Sequence, residues 1–271
     1  MIILRMFSRR WVLTTVLVIC AIGVLVRLGI WQLDRLESRR SFNTRVQAQV
    51  EAAPLDLNQE AAVPDLAEME YRKVSVSGTY DNSNQIALRN QYWDNQWGVH
   101  LVTSLLISGS DKTILVDRGW IPGEDFQSGD WSKFDEPGVV TITGILRRSQ
   151  EKADFGSRSD PQVQTGEVPA TAWNFVNIER LSVLMSSTLL PAYIQQAPDP
   201  SWNSLPYRYQ PALDLTEGPH FGYALQWFTF ASILGLGYPF FIQRQDRRRL
   251  EQSEKQLKVN LPAAVLHSND R

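Results

Sequence analysis

Two apolar blocks, one near each end, place the strongest constraint on what this 271-residue chain can fold into. The first, Trp11 to Val26, is sixteen residues without a charge, and after Arg27 it resumes as Leu28-Gly29-Ile30-Trp31-Gln32-Leu33. The second, Phe221 to Ile242, is twenty-two residues without a charged side chain. At about 1.5 Å per residue a helix of that length spans roughly 33 Å, enough for a hydrocarbon core of about 30 Å. Arg5, Arg9 and Arg10 before the first block raise the alternative of a cleaved signal peptide. The apolar stretch is longer than a usual signal core, and no small-x-small cleavage site follows it. Cys20 is preceded by Ile19 where a lipoprotein signal needs a small residue. A retained helix is the better reading, with Arg27 close enough to the far end to carry its guanidinium out to the headgroups.

Positive residues flanking a span stay in the cytoplasm. Arg5, Arg9 and Arg10 assign the N-terminus to that side, and Arg244 with Arg247, Arg248 and Arg249 assign the C-terminus there too. The expected organisation is a cytoplasmic segment 1–10, a first span 11–33, an extracytoplasmic (periplasmic) domain 34–219, a second span 220–242 and a cytoplasmic basic tail 243–271. The localisation is then the cell membrane, with two passes. Beyond Lys255 the tail, with Pro262 and His267, carries no folding signal.

Charge is segregated in the same pattern. Residues 34–217 hold 16 Lys plus Arg against 25 Asp plus Glu, a net −9, whereas the two ends together hold 11 against 4, a net +7. The middle domain therefore lacks the basic footprint of a nucleic-acid binder. The single cysteine, Cys20, excludes an internal disulfide, a CxxC zinc site and a CxxCH haem attachment. Three histidines (His100, His220, His267), far apart in sequence, do not suggest a structural metal site.

Between the spans, residues 34–49 continue the first helix as a charged segment, and 52–70 are looser. Strand signals follow at Tyr71–Tyr80, Gln85–Arg89, Gly98–Ile107, Lys112–Trp120 and Gly138–Leu146. Trp173–Ile178 and Ala192–Gln196 read as late strands around a short helix at Glu179–Ser187, and Ser149–Pro169 reads as a long polar loop. The fold class expected is a membrane protein with two transmembrane α-helices flanking one antiparallel, β-rich α+β domain.

The middle domain offers little catalytic chemistry. It contains no GxSxG, P-loop, HExxH or GxGxxG pattern, and an enzyme is not expected. Asp117-Arg118-Gly119-Trp120 ends a strand and reads as an ion pair with a tight turn and an anchoring Trp120. The acidic pairs Glu124-Asp125 and Asp135-Glu136 read as solvated loop charge. His100 alternates with apolar neighbours and so faces solvent or an adjacent strand. The second span is richer, because helical spacing lines up His220, Tyr223, Trp227, Phe230 and Leu234. That stripe is either an interfacial histidine with an aromatic belt or a face for a planar aromatic ligand. In the second case His220 is an axial ligand to iron, and Arg27 or Arg35 meets propionates.

Five segments in order resemble the Surfeit locus protein 1 family. They are Leu28–Arg35 (LGIWQLDR), Val76–Asp81 (VSGTYD), Ile114–Pro122 (ILVDRGWIP), Val140–Arg147 (VTITGILR) and His220–Phe228 (HFGYALQWF). Each is short, but together they span residues 28–228 inside a two-helix frame. The resemblance implies a non-catalytic assembly factor for haem–copper cytochrome c oxidase, a chaperone of respiratory-chain biogenesis. It implies haem a as transient cargo, with haem a synthase and oxidase subunit I as partners and the lipid bilayer as surroundings. The family's haem-ligand position maps onto His220. An envelope scaffold that stabilises an oxidase intermediate without binding haem is the alternative. The chain departs from the family pattern at Pro219, where a polar residue is common, and in its long polar loop. Proline suits the start of a helix.

Overall fold

The computed structural model describes residues 5–60, 65–151, 160, 172–185 and 188–260. The chain divides into two compact units, one from the helical ends (residues up to 43 and from 215 onward) and one from residues 44–214.

The helical unit is a hairpin of two long helices, α1 (Val12–Glu51) and the C-terminal helix (His220–Asn260). Both are long and apolar enough in part to cross a membrane. Each is about 60 Å long, roughly twice the apolar thickness of a bilayer, so only part of each helix can lie within one. The charged continuation expected after residue 33 is present in α1, whose helix runs on to Glu51. The C-terminal helix likewise continues well past residue 242, so the basic segment 243–260 is helical, and residues 261–271 lie outside the described residues.

The two helices run antiparallel along a seam. Thr15 Oγ1 and Tyr238 Oη lie 2.8 Å apart, and Trp11 meets Phe241 edge to face at 6.1 Å between ring centroids. Farther along, Asn43 donates to the carbonyl of Leu215, and Arg40 forms a bidentate pair with Glu217 at 2.8 and 2.9 Å. Thr15, Gly29 and Leu36 are buried at seven- or fourteen-residue intervals on α1, as are Ala224, Ala231 and Tyr238 on its partner. That repeat keeps one face of each helix toward the other. Gly29 marks a close approach: a Cβ there would stand 2.7 Å from the ring of Phe228. Pro239 sits within the C-terminal helix and removes one backbone donor; such prolines are tolerated in spans where neighbours restore the freed group.

The second unit holds seven strands: β1 (Leu55–Asp56), β2 (Lys73–Trp93), β3 (Gln96–Ile107), β4 (Lys112–Pro122), β5 (Val139–Arg148), β6 (Ala172–Trp173) and β7 (Thr188–Gln196). The pairings β2–β3, β3–β4, β4–β7, β7–β5 and β5–β2 close a ring, a five-stranded barrel. β4–β7 pair in parallel, and β1 and β6 add to β2 in parallel. The sheet is therefore mixed, which corrects the expectation of an antiparallel domain. Alternation along a strand reports one covered face but cannot report the direction of the neighbour.

The described residues also include three short α-helices, α2 (Leu57–Glu60), α3 (Gly123–Ser128) and α4 (Ile178–Leu184), and two 3-10 turns, Leu66–Met69 and Ser132–Phe134; the C-terminal helix is α5. The barrel interior is filled by Val74, Val76, Leu105, Ile114, Ile142 and Ile194 among others. Outside it, α4 and Trp173 cover Ile86, Val102 and Leu115.

Several element boundaries differ from the sequence reading. The expected strands at 71–80 and 85–89 are one strand, β2, with a register shift between Asp81 and Gln85. The late strand expected at 173–178 is only the two-residue β6, with a helix already beginning at Ile178. β7 starts at Thr188, where an apolar Leu189-Leu190 pair reads equally well as helix or strand until β4 pairs with it. Most of the loop expected at 149–169 lies outside the described residues.

Candidate functional site

The strand motif Asp117–Trp120 does not end β4, which runs on to Pro122, and its two charged residues do not pair with each other. Asp117 points to the outer face, accepting from Gly119 N and lying 2.9 Å from His100 Nδ1 on β3. The neighbouring strand, not solvent, is thus what His100 faces. Arg118 points inward and is fully buried. Its guanidinium lies over the Tyr80 ring at 4.6 Å, donates to the Phe134 carbonyl and pairs with Glu136 at 2.8 Å. Arg208 approaches the same Glu136 oxygen at 3.5 Å. Glu136 therefore serves as the counter-charge of two guanidiniums, which corrects its reading as solvated loop charge. Asp125 likewise pairs with Lys133.

Gly119 adopts φ 119°, and a Cβ there would stand 2.3 Å from the Tyr207 carbonyl oxygen. This close approach lets Tyr207 bridge Trp120 and stack parallel to its ring at 6.1 Å. The whole motif is spent on holding the barrel together. Burial raises the Tyr80 hydroxyl pKa, so the phenol stays neutral beside Arg118.

The helical unit holds the other candidate. His220 opens α5, partly buried, and its Nδ1 lies 2.8 Å from Gln32 Oε1 on α1. Among the described residues Nε2 takes no hydrogen bond. The first and last of the five segments, some 190 positions apart in sequence, therefore meet through Gln32–His220 and Gly29–Phe228. Tyr223 and Phe230 are exposed, Trp227 is partly buried, and Trp227 meets Phe230 edge to face at 6.2 Å. Exposed Tyr223 lies one helical turn beyond His220.

Arg35 and Arg27 are both exposed. Arg35 follows Gln32 by about one turn and shares its side of α1, whereas Arg27 is rotated from Gln32 by roughly 140° at about 100° per residue. The structure thus brings His220 and Gln32 into contact, with Tyr223 one turn along α5 and Arg35 one turn along α1, while Arg27 falls on the side of α1 away from the seam. Gln32 was the residue sequence reasoning passed over. A glutamine at the edge of an apolar block looks like any interfacial polar residue until its partner is known. Among the described residues no group of three or more His, Cys, Asp or Glu is arranged to hold a metal ion. An iron at His220 would rest on one protein ligand, and the free Nε2 beside an apolar, aromatic helix face fits a porphyrin better than a bare cation.

Comparison with known proteins agrees with the motif order. Residues 19–232 match the SURF1 family. A SURF1-like protein of Rickettsia bellii is 25% identical over 243 residues, 88% of this chain and 94% of that protein. The Surfeit locus protein 1 of Mus musculus is 26% identical over 149 residues, 50% of this chain and 48% of that protein. A SURF1-like protein of Caenorhabditis elegans is 23% identical over 174 residues, 57% of this chain and 54% of that protein, so the chain spans about half the length of these two animal relatives. With the family match running from within α1 into α5 and enclosing all five segments, the chain belongs to the SURF1 family.

Proposed function

We propose that this protein is a membrane-anchored assembly factor for haem–copper cytochrome c oxidase, carrying haem a transiently and aiding its insertion into subunit I. In this reading it is not an enzyme. Both long helices cross the membrane, both termini are cytoplasmic, and the barrel stands on the outer, periplasmic side. Haem a synthase is the donor. The observation that carries the reading is His220: an imidazole at the first residue of a long apolar helix, with Nδ1 engaged by Gln32 and Nε2 free. Haem iron is commonly ligated by imidazole nitrogen.

A single ligand from one helix binds loosely, which suits cargo that must be released. Tyr223 and Trp227 supply aromatic surface beside the ligand, and Arg35 supplies a guanidinium for a propionate. Arg27, on the far side of α1, contributes less to orientation.

The test is purification of the full chain from cells that make haem a, with an absorption spectrum of the product. The wild type should carry haem, and His220→Ala should lose it while staying in the membrane at near-normal abundance. A His220→Ala protein with an unchanged haem spectrum would overturn the ligand role. Wild-type protein free of haem, from a strain whose oxidase activity still falls on deletion of the protein, would favour the scaffold reading.

A further inference from the structure

The contact between Gln32 and His220 has a direction. An amide oxygen only accepts, so with Oε1 facing Nδ1 the imidazole must donate its Nδ1–H. A neutral imidazole carries one proton, so this contact leaves the lone pair on Nε2, the nitrogen without a hydrogen bond among the described residues. An imidazole with its proton on Nε2 could not offer that nitrogen to a metal.

The spacing that permits the contact is fixed one turn away. Gly29 precedes Gln32 by three residues on the same side of α1, and the ring of Phe228 fills the space that a Cβ at Gly29 would need. The two helix axes are therefore close enough for the short reach from Gln32 to the first residue of α5. We infer that Gln32 is the positioning residue of the His220 site, holding the imidazole in its Nδ1–H form and fixing the direction of Nε2. This rests on the reading of His220 as an iron ligand.

Partners of this kind raise the basicity of the ligand as well as aiming it, and their removal typically weakens metal affinity by about 10- to 100-fold. The first span is then part of the binding site although it supplies no atom to the iron. A hydrogen bond to Nδ1–H also strengthens donation from Nε2, which favours ferric over ferrous iron and lowers the midpoint potential.

The experiment uses the full-length protein in detergent, titrated with haemin and followed by absorption, with a redox titration of the complex. Gln32→Leu should weaken binding by about tenfold or more and raise the midpoint potential. Gln32→Glu, whose carboxylate can only accept, should restore binding and lower the potential below that of the wild type. Thr15→Val, which removes the Thr15–Tyr238 contact of the same hairpin, should titrate as the wild type does.

Three results would overturn the assignment. One is Gln32→Leu behaving as the wild type while His220→Ala loses binding. The second is loss of binding in Gln32→Glu, which would mean that the amide presents its NH2 to Nδ1. The third is Thr15→Val weakening binding as much as Gln32→Leu, which would reduce Gln32 to helix packing. A His220→Ala protein that binds haemin normally would instead sink the iron-ligand reading itself.

Discussion

Asp117 and Arg118 are adjacent in sequence, yet strand alternation sends them to opposite faces of β4, where each finds a different partner. Arg118 is fully buried inside the barrel, a position tenable because Glu136, the Phe134 carbonyl and the Tyr80 ring surround its guanidinium. Asp117 meets His100 on the outer face. Burial disfavours the His100 imidazolium, but the charge and hydrogen bond of Asp117 outweigh it, and the His100 pKa is raised above its usual 6.5. A raised histidine pKa contributes stability that is fully present below the unfolded value and is lost as pH climbs through the folded value. The thermal midpoint of the full chain in detergent should therefore fall as pH rises above 6.5. His100→Gln should flatten that part of the profile, and an unchanged slope in the variant would mean that another group titrates there.

At the scale of elements, the helix hairpin is set by a few close contacts between long apolar faces. Apolar side chains give helices little reason to prefer one another over lipid, so shape and polar contacts decide the pairing. Gly29 against Phe228 supplies the shape, and Thr15–Tyr238, Gln32–His220 and Arg40–Glu217 supply the polar contacts. Gly29→Leu should force the helices apart and lower the yield of folded protein extracted from membranes. Adding Phe228→Ala to Gly29→Leu should recover part of that yield by reopening the space. If Gly29→Leu alone accumulates and melts as the wild type does, the close approach is not what holds the hairpin. The extent of helix α1, an apolar block with a charged continuation, was legible in the sequence, but the seven-residue spacing of its buried positions came from the structure. The partner positions on α5 were not, since nothing local records which face of one helix meets which face of another.

For the whole molecule, charge and hydropathy arrange two basic, apolar ends around an acidic domain. Arginines flank the apolar parts of both long helices, and the proposed two-span topology is testable with reporters placed in the exposed β3–β4 turn at Gly109 and after Asn260. The two should report opposite sides of the membrane; the same side for both would exclude the two-span arrangement. The family match runs from within α1 to within α5, so the unit shared with relatives includes the barrel and part of the apolar segment of each long helix.

What the sequence determined by itself was whatever depends on neighbours along the chain. It specified two long apolar helices, the charged extension of the first, most strand positions and five short segments in family order. Those features follow from periodicity and composition, which are local. Only the tertiary structure decided the barrel closure, the parallel pairing of β4 with β7, the placement of Glu136 between two arginines and the meeting of Gln32 with His220. Each of these joins residues that are distant in sequence, and their pairing is settled by shape and by the need of buried polar groups for partners.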